Sequence, residues 1–297
     1  MASKRRLILG YVFSILSAVI YGCMPVMAKY IYAEGVNPLT LVFLRNFLAL
    51  PSLALLAFAG RRKTRKCPLR QILPLAIPAG FGCVLTPLLL FSSYTYIASG
   101  TATVFHFIYP CLVLLIGFVF LRKKIAWGTW VSVALCFAGI LCFYDPQATL
   151  NPTGAALALG SGLAFAIYVV LLPRFQSQSF SGFLFCFYIA LWSSIMMLVI
   201  CLCTNRLALP TTWLGWGLCL LFATLVTTGA VVLFQQGSLW IGGEKTAVLS
   251  AIEPITGVVI GILIFRESCK LPVLIGSCLV IASSIIIAVL DIKAKAE

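Results

Sequence analysis

Residues 246–265 read TAVLSAIEPITGVVIGILIF, an apolar run with a single charge, Glu253, and a proline directly behind it. A carboxylate can carry a proton or balance an amine. Pro254 removes one backbone donor and frees a carbonyl of the preceding turn, so the pair predicts a bent, polar spot in a helix. With a helix starting near residue 245, Glu253 falls about eight residues in. That is roughly 12 Å deep at 1.5 Å per residue, well inside a ~30 Å hydrocarbon core. Facing lipid there it would cost several kcal/mol, so it is expected to face the protein interior or water. Three roles are open: proton carrier in coupled transport, counter-charge for a substrate amine, or a structural group that caps the kink or pairs with a buried cation.

Moving the sequence by 144 residues lays Tyr109 on Glu253 and Pro110 on Pro254. Tyr109 can hydrogen-bond or stack where the other half has its acid. His106, the only histidine, lies one turn before Pro110. It is either a neutral packed side chain or a group that handles substrate or protons, since imidazole titrates near neutrality. Arg45 sits roughly 10 Å into another apolar run at the helical rise. It reads as an anchor that snorkels to the interface or as a bidentate grip on a substrate carboxylate. Tyr21, Met24 and Pro25 predict an interruption in the first helix, and Tyr94, Tyr168, Gln235 and Gln236 add polar groups to other runs. Pro25, Pro110 and Pro254 are the expected kinks. Such a set suits a small-molecule pocket with apolar walls and few polar anchors.

The elements that must hold these residues follow from composition. The chain has 297 residues, is 62% hydrophobic with a mean hydropathy of +1.11, and only 9% of it is charged, about a third of the share in a soluble domain. No water-soluble fold hides that much apolar surface, and lipid offers the backbone no partners, so long apolar runs must cross as helices. Ten runs are present, at 7–31, 38–59, 72–96, 98–121, 125–143, 153–173, 181–203, 212–239, 245–265 and 271–290. Asn37-Pro38, Asp145-Pro146, Asn151-Pro152 and Gly242-Gly243 mark turns between them. The basic start and the segment Tyr21-Gly22-Cys23 look like a secretory signal, but the apolar run continues to Tyr32 and is read as the first membrane helix.

With both termini in the cytoplasm, sixteen of the 21 Lys and Arg fall in inner loops and tails, as insertion favours. RRKTRK at 61–66 is then a loop facing anionic lipid, not a nucleic-acid surface. The net charge of +14 is thus a membrane signature. Twelve cysteines without a C-x-x-C pair, and one histidine, read as packing residues and not as disulfides or zinc ligands. No cofactor and no metal is expected. The 144-residue shift superimposes five spans of each half and aligns Gly10 with Gly154, Ser17 with Ser161 and Ile97 with Ile241. Five is odd, so the halves should enter the membrane from opposite sides. The predicted fold class is an all-α polytopic membrane protein, ten transmembrane helices as two inverted five-helix repeats, 1–147 and 148–297.

On these residues the chain resembles the drug/metabolite transporter superfamily and its EamA-type members. The resemblance rests on Y-G-x-x-P at 21–25, F-L-R-N at 43–46, and Pro110 followed by Gly117, matched by Glu253-Pro254 followed by Gly261, with Arg266-Glu267 closing the second copy. It implies a carrier of amino acids or other small metabolites, commonly an exporter, with a central cavity between the repeats and no ATP hydrolysis of its own. The family usually ends each fourth helix with a glutamate. Here Glu267 fits and Lys123 does not.

The expected activity is secondary active transport of small organic metabolites such as amino acids, directed outward, by alternating access driven by a proton gradient or the membrane potential. Its partners are a small-molecule substrate, the lipid bilayer and, as an open coupling ion, the proton. The expected location is the cell (plasma) membrane. A multidrug or cationic-compound efflux carrier is the alternative reading. An intramembrane enzyme would want paired carboxylates, a nucleophile with its base, or metal ligands, and the chain has no H-E-x-x-H, no G-x-S-x-G and no carboxylate partner for Glu253 in the spans. A channel would show rings of like residues, whereas the two halves differ at nearly every polar position.

Overall fold

Three helices entered from polar turns begin with a side chain that answers for their unpaired N–H groups. Asn37 caps Pro38–Phe47, its side-chain oxygen accepting from Thr40 N at 2.8 Å, with Pro38 in the first turn. Asn151 accepts from Thr153 N at 2.9 Å and Gly154 N at 3.3 Å ahead of Pro152–Phe175. Thr212 accepts from Gly215 N at 2.9 Å ahead of Trp213–Phe222. The structure, a computed structural model, describes residues 2–58, 69–121, 127–142, 151–175, 182–241, 249–250, 252–265 and 271–294. The features expected at 61–66, 123, 145–146, 242–243 and 266–267 lie outside them.

The first half holds α1 (Ala2–Ala33), α2 (Pro38–Phe47), α3 (Leu50–Phe58), α4 (Leu69–Ile72), α5 (Ala76–Pro78), α6 (Thr86–Ser93), α7 (Ser99–His106), α8 (Tyr109–Leu121) and α9 (Trp127–Leu141). The second holds α10 (Pro152–Phe175), α11 (Gly182–Cys203), α12 (Trp213–Phe222), α13 (Val231–Ile241), α14 (Ile252–Phe265) and α15 (Leu271–Ala294). Among the described residues, seven helical stretches are long and apolar enough to cross a membrane, and three shorter apolar helices accompany them at Trp130–Gly139, Ile255–Ile264 and Leu274–Ser283.

Four local features differ from regular helices or from expectation. α1 runs unbroken through Pro25, so the interruption predicted at Tyr21, Met24 and Pro25 is not a break in the helix. π-helical segments occupy Ala79–Leu85, between α5 and α6, and Ala223–Ala230, between α12 and α13. They start 144 residues apart, at the shift that aligns the halves. The fourth apolar run is two helices, α7 and α8, parted by a turn at Phe107 and Ile108. Pro110 explains it: the ring nitrogen cannot donate to the His106 carbonyl, and the first turn of a new helix is where proline is tolerated. Glu253, expected about eight residues into a continuous helix, instead lies in the first turn of α14, its N–H donating to Ser250 O at 3.0 Å. Pro254 again sits where a first turn needs no donor.

Packing exchanges helices between the halves. α1 packs on α13 and α14, while α10 packs on α6, α7 and α8. α2 and α3 meet α11, and α9 meets α15. Small residues permit the closest approaches. A methyl group on Gly10 would stand 2.5 Å from Ile241 Cγ2, and one on Gly154 would stand 2.7 Å from Ile97 Cγ2. These are equivalent contacts under the same shift. The buried core runs from Met24, Ala28 and Ile31 of α1 through Leu41, Leu44, Phe91 and Phe222 to Val226.

Gly10→Ala and Gly154→Ala should each destabilise the purified protein by about 1–3 kcal/mol through overpacking. Gly217→Ala, where an added methyl meets nothing within 4 Å, should be neutral or slightly stabilising. Melting temperatures in detergent test the contrast, and three equal values would contradict this packing.

Candidate functional site

The broken helices and the second π-helical segment carry several polar side chains of the interior: His106 ends α7, Glu253 begins α14 and Thr227 lies within Ala223–Ala230. Glu253, in the first turn of α14, is partly buried, and a carboxylate there is favoured by the partial positive charge of the helix start. α1 reaches it through Gly22, whose position a Cβ would bring to 2.8 Å from the Glu253 carbonyl oxygen and against Thr256. That contact sets Tyr21 beside the acid. Among the described residues no hydrogen bond or ion pair engages the Glu253 carboxylate. Its charge is felt at Tyr21, Tyr94 and Tyr109.

Arg45 stands in the last turn of α2. Its guanidinium lies 5.5 Å from the centre of the Phe91 ring and 5.7 Å from that of Phe222, two fully buried rings that meet edge to face. Nε donates to Thr227 Oγ1 at 3.3 Å, and Nη1 lies 3.9 Å from the thioether of Met24. Thr227 belongs to the second π-helical segment. The Arg45 charge is felt at Tyr21, Tyr94 and Cys83. Tyr21 and Tyr94 are therefore shared by the acid and the base, which form no ion pair with each other.

A second group surrounds His106, at the end of α7. His106 is 6% exposed, and its Nδ1 lies 2.8 Å from Ser161 Oγ on α10. The Ser161 hydroxyl donates to Ala158 O at 2.6 Å. Its one proton is thereby used, so His106 Nδ1 must be the donor of the pair and Nε2 carries the free lone pair. Gly162 approaches the His106 carbonyl that Pro110 leaves without its helical donor, a Cβ there falling 2.7 Å from the oxygen. Tyr109 packs edge-on against Phe165 with centroids 4.7 Å apart, and His106 and Tyr168 adjoin the same ring at 5.6 Å. The 144-residue shift lays Phe165 on Tyr21 just as it lays Tyr109 on Glu253. An aromatic pair between the halves, Tyr109 with Phe165, thus stands at the positions equivalent to Glu253 and Tyr21, again one residue from each half.

Of the sequence-derived candidates, Glu253, Arg45, Tyr21 and Tyr94 form one neighbourhood, and Tyr109 links it to His106. Gln236 is partly buried on α13 without a contact joining it to these groups. The Gln235 side chain lies outside the described residues, as do the rings of Pro110 and Pro254. Phe91, Phe222, Thr227 and Ser161 were missed. A hydroxyl repeated at Ser17 and Ser161 was the available signal for the last. A separate cleft of about 260 Å³ is lined by Asn37, Leu39, Ser92, Thr95, Tyr96 and Arg206.

The EamA-like transporter family model matches residues 8–144 and again 152–289. A protein named "uncharacterized transporter" from Clostridium kluyveri is 23% identical over 93% of this chain and 92% of its own length. Another of that description from Archaeoglobus fulgidus is 28% identical over 92% and 93%. A "biotin transporter" from Escherichia coli is 24% identical over 67% of each chain. A solved crystal structure, 12% identical, shares the fold with a TM-score of 0.64 over 96% of this chain and 98% of its own.

His106 is the only histidine, so its ¹⁵N resonances are unambiguous. They should show Nδ1 protonated and Nε2 bare at neutral pH. Ser161→Ala, which strands that buried N–H, should cost about 1–3 kcal/mol, read as a lower melting temperature. A predominantly Nε2-protonated ring would refute the assigned bond.

Proposed function

This chain belongs to the EamA-like transporter family, and from that membership we propose a secondary active carrier of small organic metabolites, amino acids among them, that works by alternating access. It is an integral membrane protein and a transporter, not an enzyme. The proposed architecture is ten membrane helices in two inverted five-helix units, 1–147 and 148–297, with both termini cytoplasmic in the plasma membrane and transport directed outward. Support comes from the paired π-helical segments and from the reciprocal packing of α1 and α10 on the opposite halves.

The observation that carries the reading is a carboxylate and a guanidinium inside the helix bundle that form no ion pair with each other among the described residues, Glu253 at the start of α14 and Arg45 at the end of α2. Interior charges without a mutual partner are costly to maintain in a membrane and mark solute or ion pathways. The positions lie at interrupted helices, where inverted-repeat carriers build their sites. Glu253 is the residue proposed to exchange a proton or meet a substrate amine. A membrane potential of 100 mV supplies about 2.3 kcal/mol per charge moved, enough for roughly fortyfold accumulation. Efflux of cationic compounds is a second reading, favoured by Glu253 lying beside the rings of Tyr21 and Tyr109. Biotin, the cargo in the name of one relative, belongs in the first panel of compounds tested.

Reconstituted in proteoliposomes, the protein should show saturable uptake and counterflow, as a carrier does and a channel does not. Glu253→Gln should abolish pH-gradient-driven accumulation while leaving counterflow measurable. Full proton-driven accumulation in that variant would remove Glu253 as the proton carrier. Reporter fusions at both ends should read cytoplasmic, and a split result would end the ten-span topology.

A further inference from the structure

Among the described residues, the contacts of the Arg45 guanidinium are all with neutral groups. The rings of Phe91 and Phe222 adjoin its guanidinium, a contact that stabilises the charge while leaving the in-plane N–H groups to other partners. A guanidinium has five such donors. One reaches Thr227 and one a thioether, a weak acceptor. Of the acidic side chains described, Glu34 is engaged by the Thr212 hydroxyl away from this region, and Glu253 is not within ion-pair distance.

A second observation points the same way. The Tyr94 hydroxyl is buried, the residue being 5% exposed, and it has no hydrogen-bond partner. Thr103, its neighbour, donates its own proton to Ser99 O at 2.8 Å, and its oxygen, though able to accept, does not meet the Tyr94 hydroxyl at hydrogen-bond geometry. Buried hydroxyls are rarely left unpaired, and each exception calls for an explanation. Tyr94 lies in the field of Arg45 and of Glu253. One unsatisfied donor beside one uncompensated cation is a built receptor for an anion.

The chemistry of that anion follows from charge and shape. Among the described residues the site has a single positive charge, Arg45, lying against the Phe91 ring that Tyr94 also adjoins at 5.9 Å between centroids, so a dianion such as phosphate is poorly matched. The planar fork of arginine fits a carboxylate through two parallel N–H bonds. We propose that Arg45 and the Tyr94 hydroxyl together bind the carboxylate of the transported solute, making Arg45 the residue that selects organic acids over their amides and over cations. This rests on the carrier reading above and adds the substrate class.

The test is a melting-temperature series on the full-length detergent-purified protein with acetate, butyrate, 3-phenylpropionate and indole-3-acetate, each beside its primary amide. At least one acid should stabilise the wild type and its amide should not. Arg45→Gln should weaken that ligand on the order of a hundredfold, as for loss of charge-assisted bonds, and Tyr94→Phe about tenfold. Arg45→Lys, which keeps the charge without the fork, should fall between. Amides as effective as acids, no response to any of the acids, or an unchanged response in Tyr94→Phe together with Arg45→Lys would overturn the assignment. The Tyr94 variant differs by one oxygen, so the test stands even where Arg45→Gln does not fold. Counterflow that accepts acids and amides equally would leave the carrier intact and remove this site. An acid-selective shift without any counterflow would keep the site and remove the carrier.

Discussion

In hydrocarbon a backbone N–H or C=O has no solvent to fall back on, and the whole architecture answers to that constraint. It makes the described apolar runs helical and limits departures from regular helix within them to places where the protein itself supplies missing partners. The departures here are supplied in that way. The Cys83 carbonyl in the first π-helical segment accepts from Asn46 at 3.3 Å, and Thr86 returns its hydroxyl to Phe81 O at 2.7 Å. At the end of the second, Ala230 O accepts from Ser17 at 2.8 Å, while Thr228 bonds Ser52 at 2.7 Å. Irregular backbone and interhelical polar contact are therefore the same places, and the candidate site lies among them.

The two halves use this common frame differently. Where Tyr109 of the first half meets Phe165 of the second, the equivalent positions hold Glu253 of the second half and Tyr21 of the first. Arg45 has an isoleucine, Ile189, at its equivalent position in the second half. Duplication supplies a near-symmetric scaffold, and the charges are placed on it asymmetrically. A solute held between the halves would meet a distinct group on each side, which fixes its orientation.

Much of this was legible in the residues. Apolar length and turn chemistry located the helices because both are local properties, and the cost of charge in lipid singled out Glu253 and Arg45 without any structure. The helix break before Glu253 was not foreseen because a proline reads equally as a mid-helix kink and as a first-turn residue; only the helix start at Ile252 separates them. The π-helical segments left no composition signal, since AGFGCVL and ATLVTTGA look like ordinary apolar helix. Phe91 and Phe222 were invisible as partners of Arg45 for a related reason. They come from different helices, and their meeting depends on relative rotation, which no single run of sequence encodes.

The matched π-helical segments also carry a record of descent. Each holds the extra residue per turn that distinguishes it from its surroundings, at the same place in both copies. Two separate insertions at one site are a less economical history than one. The simplest genealogy is a shorter ancestor that already possessed the widened turn, assembled as a pair of identical chains, and was later fused head to tail, so the irregularity is older than the single polypeptide that now contains it twice.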